Sequence, residues 1–280
     1  MTSKRWTIWL VLAAIAVAWA ISGAAPRHNV DRSVYGGGTQ WIDTRLGRVK
    51  VVIYGRVSGA PLVIVFHGDA PFERPDYQYR FAASAQRALP RETVAAVLRP
   101  GYEDPSGDKS QGSRGLATGD NYSPEVVAAL DDVVHTLVNA TGASRVTLVG
   151  HSGGAALAAD VAELDPGQVS RLLLVSCPCD VSAWRLYMAR RQFNPLWLLP
   201  TQSVSPSAGA ARMSARTIVR LVVGSKDDVA PQRFSDALLV ALPAAVNARR
   251  DIEPGASHNI LLDPFVLSEL GELERDGPRS

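Results

Sequence analysis

The residues G-H-S-G-G at positions 150–154 place a serine where a nucleophile is needed. The apolar run 146–149 before the motif predicts a buried strand, and the small-residue run 155–160 after it predicts a helix. A turn this sharp strains the backbone of Ser152 and brings neighbouring chain so close that flanking side chains would clash, which glycine avoids. The pattern therefore predicts a nucleophilic serine at a strand-to-helix corner, suited to attack a carbonyl carbon.

A serine hydroxyl is a poor nucleophile at neutral pH, so a base must take its proton and a carboxylate must orient that base. Two carboxylates, Asp227 and Asp228, come just after the apolar run 217–223, which predicts another buried strand. His258 follows the last predicted strand, 245–250. These residues are the candidates for the acid and the base, and their positions alone leave the choice between the two aspartates open.

The elements that position these residues form an α/β pattern. Strands that alternate with helices predict a mostly parallel sheet with helices on both faces. The predicted elements are an edge strand pair at 41–44 and 48–54, buried strands at 61–66, 93–98 and 171–176, and helices at 77–89 and 123–139. A polar, glycine-rich loop at 102–122 is longer than most connections, which indicates function or mobility.

From about residue 41 to residue 272 the chain resembles the α/β-hydrolase superfamily, through G-x-S-x-G at 150–154 and G-x-x-D-x-x-x-P at 224–231. The resemblance implies an α/β-hydrolase fold with the triad in the order serine, acid, histidine. It assigns Asp227 as the acid, and it assigns His258 as the base because no other histidine follows Ser152. The remaining histidines have structural interpretations: His28, His67, His135 and His151.

The resemblance also implies an oxyanion hole, because backbone N–H donors stabilise the negative charge that develops in acyl transfer. Gly153, directly after the serine, supplies one donor. The second comes from H-G-x at residues 67–69, which nominates the N–H of Asp69. An acidic side chain at this position departs from the apolar residue common in the family, and beside the pocket it would disfavour anionic substrates.

An insertion at about 178–215 interrupts the alternation of strands and helices. Its aromatic residues and arginines predict a short cap, with Arg185, Arg190 or Arg191 available for a substrate carboxylate. The alternative is that the aromatics only attach the insertion to the body. The candidate pocket residues, some from loops that resemble family loops beside the site, are His67, Gly68, Arg99, Tyr102 and Trp184.

The N-terminus differs from the rest of the chain. Lys4 and Arg5 precede an apolar stretch at 6–20, and small residues follow at 22–25. This pattern predicts a signal peptide or a retained membrane anchor over residues 1–25, so that the remainder is exported to the periplasm or the cell exterior or stays anchored to the membrane. A linker at 26–40 and a hydrolase domain at 41–280 follow.

Composition limits the partners and cofactors. The formal net charge is +2 with no basic run, which gives no reason to expect a nucleic-acid partner. We expect no cofactor and no metal; Cys177 and Cys179 form either a strained disulfide or two buried thiols. The sequence does not indicate an oligomeric state.

These observations predict a serine hydrolase that acts on an ester, or less readily an amide, of a small acyl substrate through an acyl-enzyme intermediate. The same triad also serves acyltransferases and peptidases. The alternative is an exported binding or scaffold protein that keeps the fold without turnover. The presence of every catalytic position favours the enzyme.

Overall fold

The computed structural model describes residues 31–32, 36–55, 58–70 and 72–276, all within the compact unit Asp31–Ser280. The predicted signal peptide or anchor at residues 1–25 lies outside the described residues. Within the described part of the chain, every helix is too short or too polar to cross a membrane.

Nine strands form one sheet, in the order β1-β2-β3-β5-β4-β6-β7-β8-β9. Strands β4 to β9 are parallel to one another, and β1 to β3 form an antiparallel edge. The prediction of a mostly parallel sheet is confirmed. The strands are β1 (Asp31–Arg32), β2 (Gly38–Thr44), β3 (Gly47–Tyr54), β4 (Leu62–Phe66), β5 (Thr93–Val97), β6 (Val146–His151), β7 (Arg171–Val175), β8 (Ile218–Gly224) and β9 (Asn247–Glu253).

Helices cover both faces of this sheet, as the two separate apolar cores show. On β4, Leu62, Ile64 and Phe66 pack into one core and Val63 and Val65 into the other, because successive side chains of a strand point to opposite faces. The helices are α1 (Tyr77–Ala88), α2 (Pro124–Thr141), α3 (Gly153–Leu164), α4 (Val181–Arg191), α5 (Pro206–Gly209), α6 (Gln232–Ala241) and α7 (Pro264–Arg275).

The sheet begins earlier in the chain than the sequence suggested. Strand β1 lies in the stretch 26–40 predicted as a linker, and β2, with which β1 pairs, begins in that stretch at Gly38. Main-chain hydrogen bonds hold these edge strands together. They do not require apolar side chains, so no apolar pattern in the sequence marked the strands. A Cβ at Gly37 would lie 2.6 Å from Val52 Cγ1, so glycine permits a close approach of the chain where the sequence suggested a loose linker.

The topology brings the candidate catalytic residues together, because the carboxyl ends of parallel strands all lie on the same side of the sheet. Asp69 follows β4, Ser152 follows β6, Asp227 follows β8 and His258 follows β9. The predicted insertion is present between β7 and β8 and contains α4, α5 and two 3-10 turns, Pro195–Leu198 and Ala210–Arg212.

Candidate active site

Ser152 occupies the strained corner that the sequence predicted. Its backbone has φ 53° and ψ −122°, a conformation that L-residues rarely adopt. A Cβ at position 150 would lie 2.3 Å from the Gly154 carbonyl oxygen, and one at position 154 would lie 2.3 Å from the His67 carbonyl oxygen. Glycine at both positions therefore lets strand, turn and helix pack closely enough to form the corner.

The structure brings the three predicted triad residues together. Ser152 Oγ lies 3.0 Å from His258 Nε2, and His258 Nδ1 lies 2.9 Å from Asp227 Oδ2. Ser152 is 6% exposed and the imidazole 13%, whereas the Asp227 carboxylate is fully buried. A reactant can thus reach the serine and the edge of the imidazole, while the acid stays shielded from water.

Asp227 is held in place by its own turn. Its Oδ1 accepts hydrogen bonds from the Val229 and Ala230 N–H groups, at 3.0 and 2.8 Å. Burial alone would raise the pKa of Asp227, but the hydrogen bonds from His258 and the Ala230 N–H outweigh it and lower the pKa below its ordinary value. The carboxylate therefore stays ionised beside the imidazole.

Asp228 points away from the histidine. Its side chain is 68% exposed and pairs with Arg191 of α4, and its carbonyl oxygen accepts a hydrogen bond from Tyr187 Oη. Asp228 therefore joins this turn to α4, whereas Pro231 is the cap residue of the next helix, α6.

The two predicted oxyanion donors lie beside each other. A Cβ on Gly153 would lie 2.8 Å from Asp69 Oδ1, so these residues are in contact. Within the described ranges, neither the Asp69 N–H nor the Gly153 N–H has a protein acceptor. Gly153 is the first residue of α3, where N–H groups have no partner in the helix and attract negative charge.

The Asp69 carboxylate is part of a buried cluster, 4% exposed. It accepts from Arg99 Nη1 at 3.0 Å, Tyr122 Oη at 2.6 Å, the Gly119 N–H at 2.8 Å and Tyr102 Oη at 3.3 Å. The charge is thus compensated inside the protein, which differs from the expectation that it would repel anionic substrates. Its bonds to Gly119 and Tyr122 attach the long loop at 102–122 to the loop that carries the Asp69 N–H.

Replacing Arg99 with methionine should lower the free energy of unfolding by about 3–5 kcal/mol, because it leaves the Asp69 charge buried without its cation. Urea unfolding of the variant and the parent measures the change. Arg74→Met is the matched control, since the Arg74–Glu103 pair is 58% and 36% exposed and its loss should cost less than about 1 kcal/mol. Equal losses in the two variants would contradict the interpretation of the Asp69–Arg99 pair.

The pocket candidates lie beneath the surface of the site. His67 and Trp184 are 0% exposed, Arg99 is 1% and Tyr102 is 2%. Gly68 is also buried and packs against Ser152, since a Cβ there would lie 2.9 Å from the Ser152 Cβ. These residues therefore lie beneath the site and support it, and their contact with a substrate stays a prediction.

The insertion packs against the loops around the triad. Trp184 Nε1 donates to the Val229 carbonyl at 2.8 Å, next to the Asp227 turn, and Arg185 donates to the Gly119 and Leu199 carbonyls at 3.1 Å. Because these groups are engaged, and Arg191 is paired with Asp228, the structure favours the alternative in which the aromatics attach the insertion to the body. Arg190 remains exposed.

A chain of hydrogen bonds that the sequence did not reveal connects the loop after β4, which carries the Asp69 N–H, to the loop after β9, which carries His258. The Gly68 N–H donates to Tyr77 Oη, and Tyr77 Oη lies 3.0 Å from His151 Nδ1. His151 Nε2 lies 3.0 Å from the carbonyl oxygen of His258, which can only accept, so Nε2 carries the proton. These groups are far apart in the sequence and meet only in the folded protein, so no local motif predicts their hydrogen bonds.

His151 should make the protein less stable in acid. Burial lowers the pKa of His151 from 6.5 to about 4, so the unfolded chain binds the extra proton between these values. The contribution of neutral His151 to the free energy of unfolding is therefore fully present above pH 6.5, and about 3 kcal/mol of it is lost as the pH drops to 4. Urea unfolding across this range should show a shallower pH dependence for His151→Gln than for the parent; parallel profiles would contradict the assignment.

Two further features lie outside the triad. Cys177 and Cys179 are joined in a disulfide and are fully buried. Asp131, His135 and Asp165 have ligand atoms within 4.8 Å of one another, but they lie at the opposite end of α3 from Ser152. His135 Nε2 lies 3.6 Å from Asp131 and 3.2 Å from Asp165, so the imidazole lies between the two carboxylates.

The fold resembles those of several solved esterase structures. Est1E from Butyrivibrio proteoclasticus, with ferulic acid bound, is 14% identical with a TM-score of 0.61, over 85% of this chain and 100% of that one. The carboxylesterase CesB from Bacillus subtilis is 17% identical with a TM-score of 0.61, over 86% and 92%. Acetyl xylan esterase 1 from Thermoanaerobacterium sp. is 17% identical with a TM-score of 0.63, over 90% and 89%. Identities this low show a shared fold.

The sequence comparisons address the family. No curated protein matches the chain. Residues 62–205 match a family model described as the alpha/beta hydrolase family. The match spans just over half of the 280 residues and includes the serine corner, and the sheet has the alpha/beta hydrolase fold of the solved structures. The chain therefore belongs to the alpha/beta hydrolase family.

Proposed function

We propose that this protein is a serine hydrolase that cleaves an ester bond of a small acyl substrate through an acyl-enzyme intermediate. The observation that carries the proposal is the continuous hydrogen-bonded line from Ser152 Oγ to His258 and on to Asp227, at 3.0 and 2.9 Å. These are the contacts that a base needs to take the serine proton and that an acid needs to orient the base.

In the proposed reaction, Ser152 Oγ attacks the ester carbonyl carbon while His258 Nε2 takes the hydroxyl proton. The N–H groups of Asp69 and Gly153 stabilise the resulting oxyanion. His258 then returns the proton to the departing alcohol as the carbon–oxygen bond breaks, which leaves an acyl-serine. Water, deprotonated by His258, attacks this ester and releases the acid and the free serine.

The choice of an ester is supported by the solved structures that share this fold, among them a carboxylesterase and an acetyl xylan esterase. An alcohol is also a better leaving group than an amine, so we expect the triad to cleave esters faster than the corresponding amides.

Hydrolysis of p-nitrophenyl acetate, butyrate and octanoate, each compared with the matched p-nitroanilide, tests this proposal. We expect the esters to be cleaved faster than the anilides, with a burst of p-nitrophenol when deacylation is slow. Faster cleavage of the anilides would instead assign a peptidase or amidase. No turnover of any substrate would favour a binding or scaffold protein with a silent hydrolase fold.

We also propose that residues 1–25 direct export, either as a cleaved signal peptide or as an anchor. The basic, apolar and small-residue segments support it, and so does the Cys177–Cys179 disulfide, a bond that persists in oxidising compartments. Cell fractionation with N-terminal sequencing tests it. A mature chain that begins near residue 26 indicates cleavage, an intact chain in the membrane fraction indicates an anchor, and an intact cytosolic chain contradicts the proposal.

A further inference from the structure

A cavity of about 580 Å³ lies along helix α3, away from the serine. It is partly open to solvent and is lined by α2, by the later turns of α3, by Ser182 of α4 and by the insertion at 203–212. Asp160 and Glu163, which line it, follow Ser152 by eight and eleven residues, or about 12 and 16 Å along the helix axis. The cavity is therefore separate from the triad.

Two carboxylates dominate this cavity. Asp160 and Glu163 are three residues apart, so they share one face of α3. They are only 5% and 1% exposed. Asp160 Oδ2 and Glu163 Oε1 are buried without a hydrogen-bond partner. Buried carboxylates of this kind are costly unless a cation or a donor compensates them.

The protein supplies little of that compensation. Among the described residues, the cation paired with this site is Arg212, whose Nη2 lies 3.4 Å from Glu163 Oε2 and whose side chain is 63% exposed. Burial, with the neighbouring Asp160 charge, raises the pKa of Glu163 to about 9, and burial raises the pKa of Asp160 well above its ordinary range. Both groups therefore hold protons in the free protein, and a bound cation would displace them and be accepted by the carboxylates that form.

The rest of the lining indicates what kind of cation fits. Val127, Val204 and Ala208 supply apolar surface, and Ser182 and Ser203 lie among them. The volume is that of a site for a small organic molecule and much larger than a metal ion requires. An apolar wall beside two carboxylates suits a molecule with a hydrocarbon body and a charged amino group.

We propose that this cavity binds a small organic amine as its ammonium ion, with Asp160 and Glu163 accepting the N–H groups and the Val127 and Val204 side chains contacting the hydrocarbon part. The site is independent of the proposed serine hydrolase chemistry. Arg212 competes with the ligand for Glu163 and must move aside when the amine binds.

Isothermal titration of the full chain with n-hexylamine hydrochloride tests the proposal. We expect saturable binding that weakens about tenfold or more in Asp160→Asn and in Glu163→Gln, because each loses a charged acceptor. Arg212→Gln should bind more tightly than the parent, since it removes the competing cation. Binding to the parent should also release protons, seen as a heat that depends on the ionisation enthalpy of the buffer.

Three control compounds distinguish a site for an ammonium ion from a site for an apolar molecule, for an anion or for a metal ion. 1-Hexanol tests the apolar part alone, hexanoate tests the opposite charge, and MgCl₂ tests a simple cation. Binding of hexanoate that is lost in Arg212→Gln would assign an anion site and overturn the proposal. Binding of 1-hexanol, or a response to MgCl₂, that equals the binding of hexylamine would also overturn it. So would the absence of any heat from hexylamine at millimolar concentration. Circular dichroism and ester turnover, unchanged in the three variants, show that an altered affinity does not come from misfolding or from the triad.

Discussion

Replacing Ser152 with alanine should lower the turnover of a p-nitrophenyl ester by about 10⁶-fold, because triad members act as a unit. The fold should survive, since the hydroxyl that is lost bonds to His258 while main-chain bonds, such as that from the Ser152 N–H to the Val175 carbonyl, hold the corner. Steady-state kinetics measures the loss, and circular dichroism confirms the fold.

A second variant shows whether the serine and the histidine act together. His258→Ala should lose about as much activity as Ser152→Ala, and the double variant should lose little more than either. Losses that multiply in the double variant would show that the two residues act independently, which would contradict a triad.

Replacing Asp227 with asparagine should lower kcat/KM by about 10⁴-fold at neutral pH. The amide keeps the shape of the carboxylate but no longer favours the tautomer of His258 that carries its proton on Nδ1, so Nε2 is not free to take the serine proton. The loss of charge also removes the stabilisation of the imidazolium that forms during the reaction.

Asp228→Asn is the matched control, one residue further along the same turn. Its carboxylate is 68% exposed and pairs with Arg191, so the variant should stay within about tenfold of the parent. The two variants are compared side by side on the same ester. A larger loss at position 228 than at position 227 would mean that Asp228 orients His258.

Much of the fold follows from patterns in the sequence. The central strands are buried on both faces, so their sequences are largely apolar, and the predicted strands 61–66 and 171–176 lie within one residue of the observed bounds of β4 and β7. Ser123 followed by Pro124 is a helix start with a local cause, because the serine side chain accepts the Val126 N–H. The Ser152 corner is also predictable because strand, turn and helix are contiguous.

Contacts between distant residues were not predictable in the same way. Asp69 is an acidic residue in an unexpected place until Arg99, Gly119 and Tyr122 surround it, and these lie 30 to 53 residues further along the chain. Tyr77 and His151, 74 residues apart, likewise reveal their hydrogen bond only in the folded sheet. The burial of the pocket candidates was not predictable for the same reason, since a sequence motif does not show whether a nearby side chain faces the cleft or the layer beneath it.

Labelling with a fluorophosphonate probe, followed by peptide mass spectrometry, tests the central claim most directly. The probe reacts with a serine only when a neighbouring base activates it. We predict a single adduct, on the peptide that contains Ser152, and no adduct in Ser152→Ala or in the parent unfolded with urea. An adduct on another residue, or labelling of Ser152→Ala at the rate of the parent, would contradict the assignment of Ser152 as an activated nucleophile.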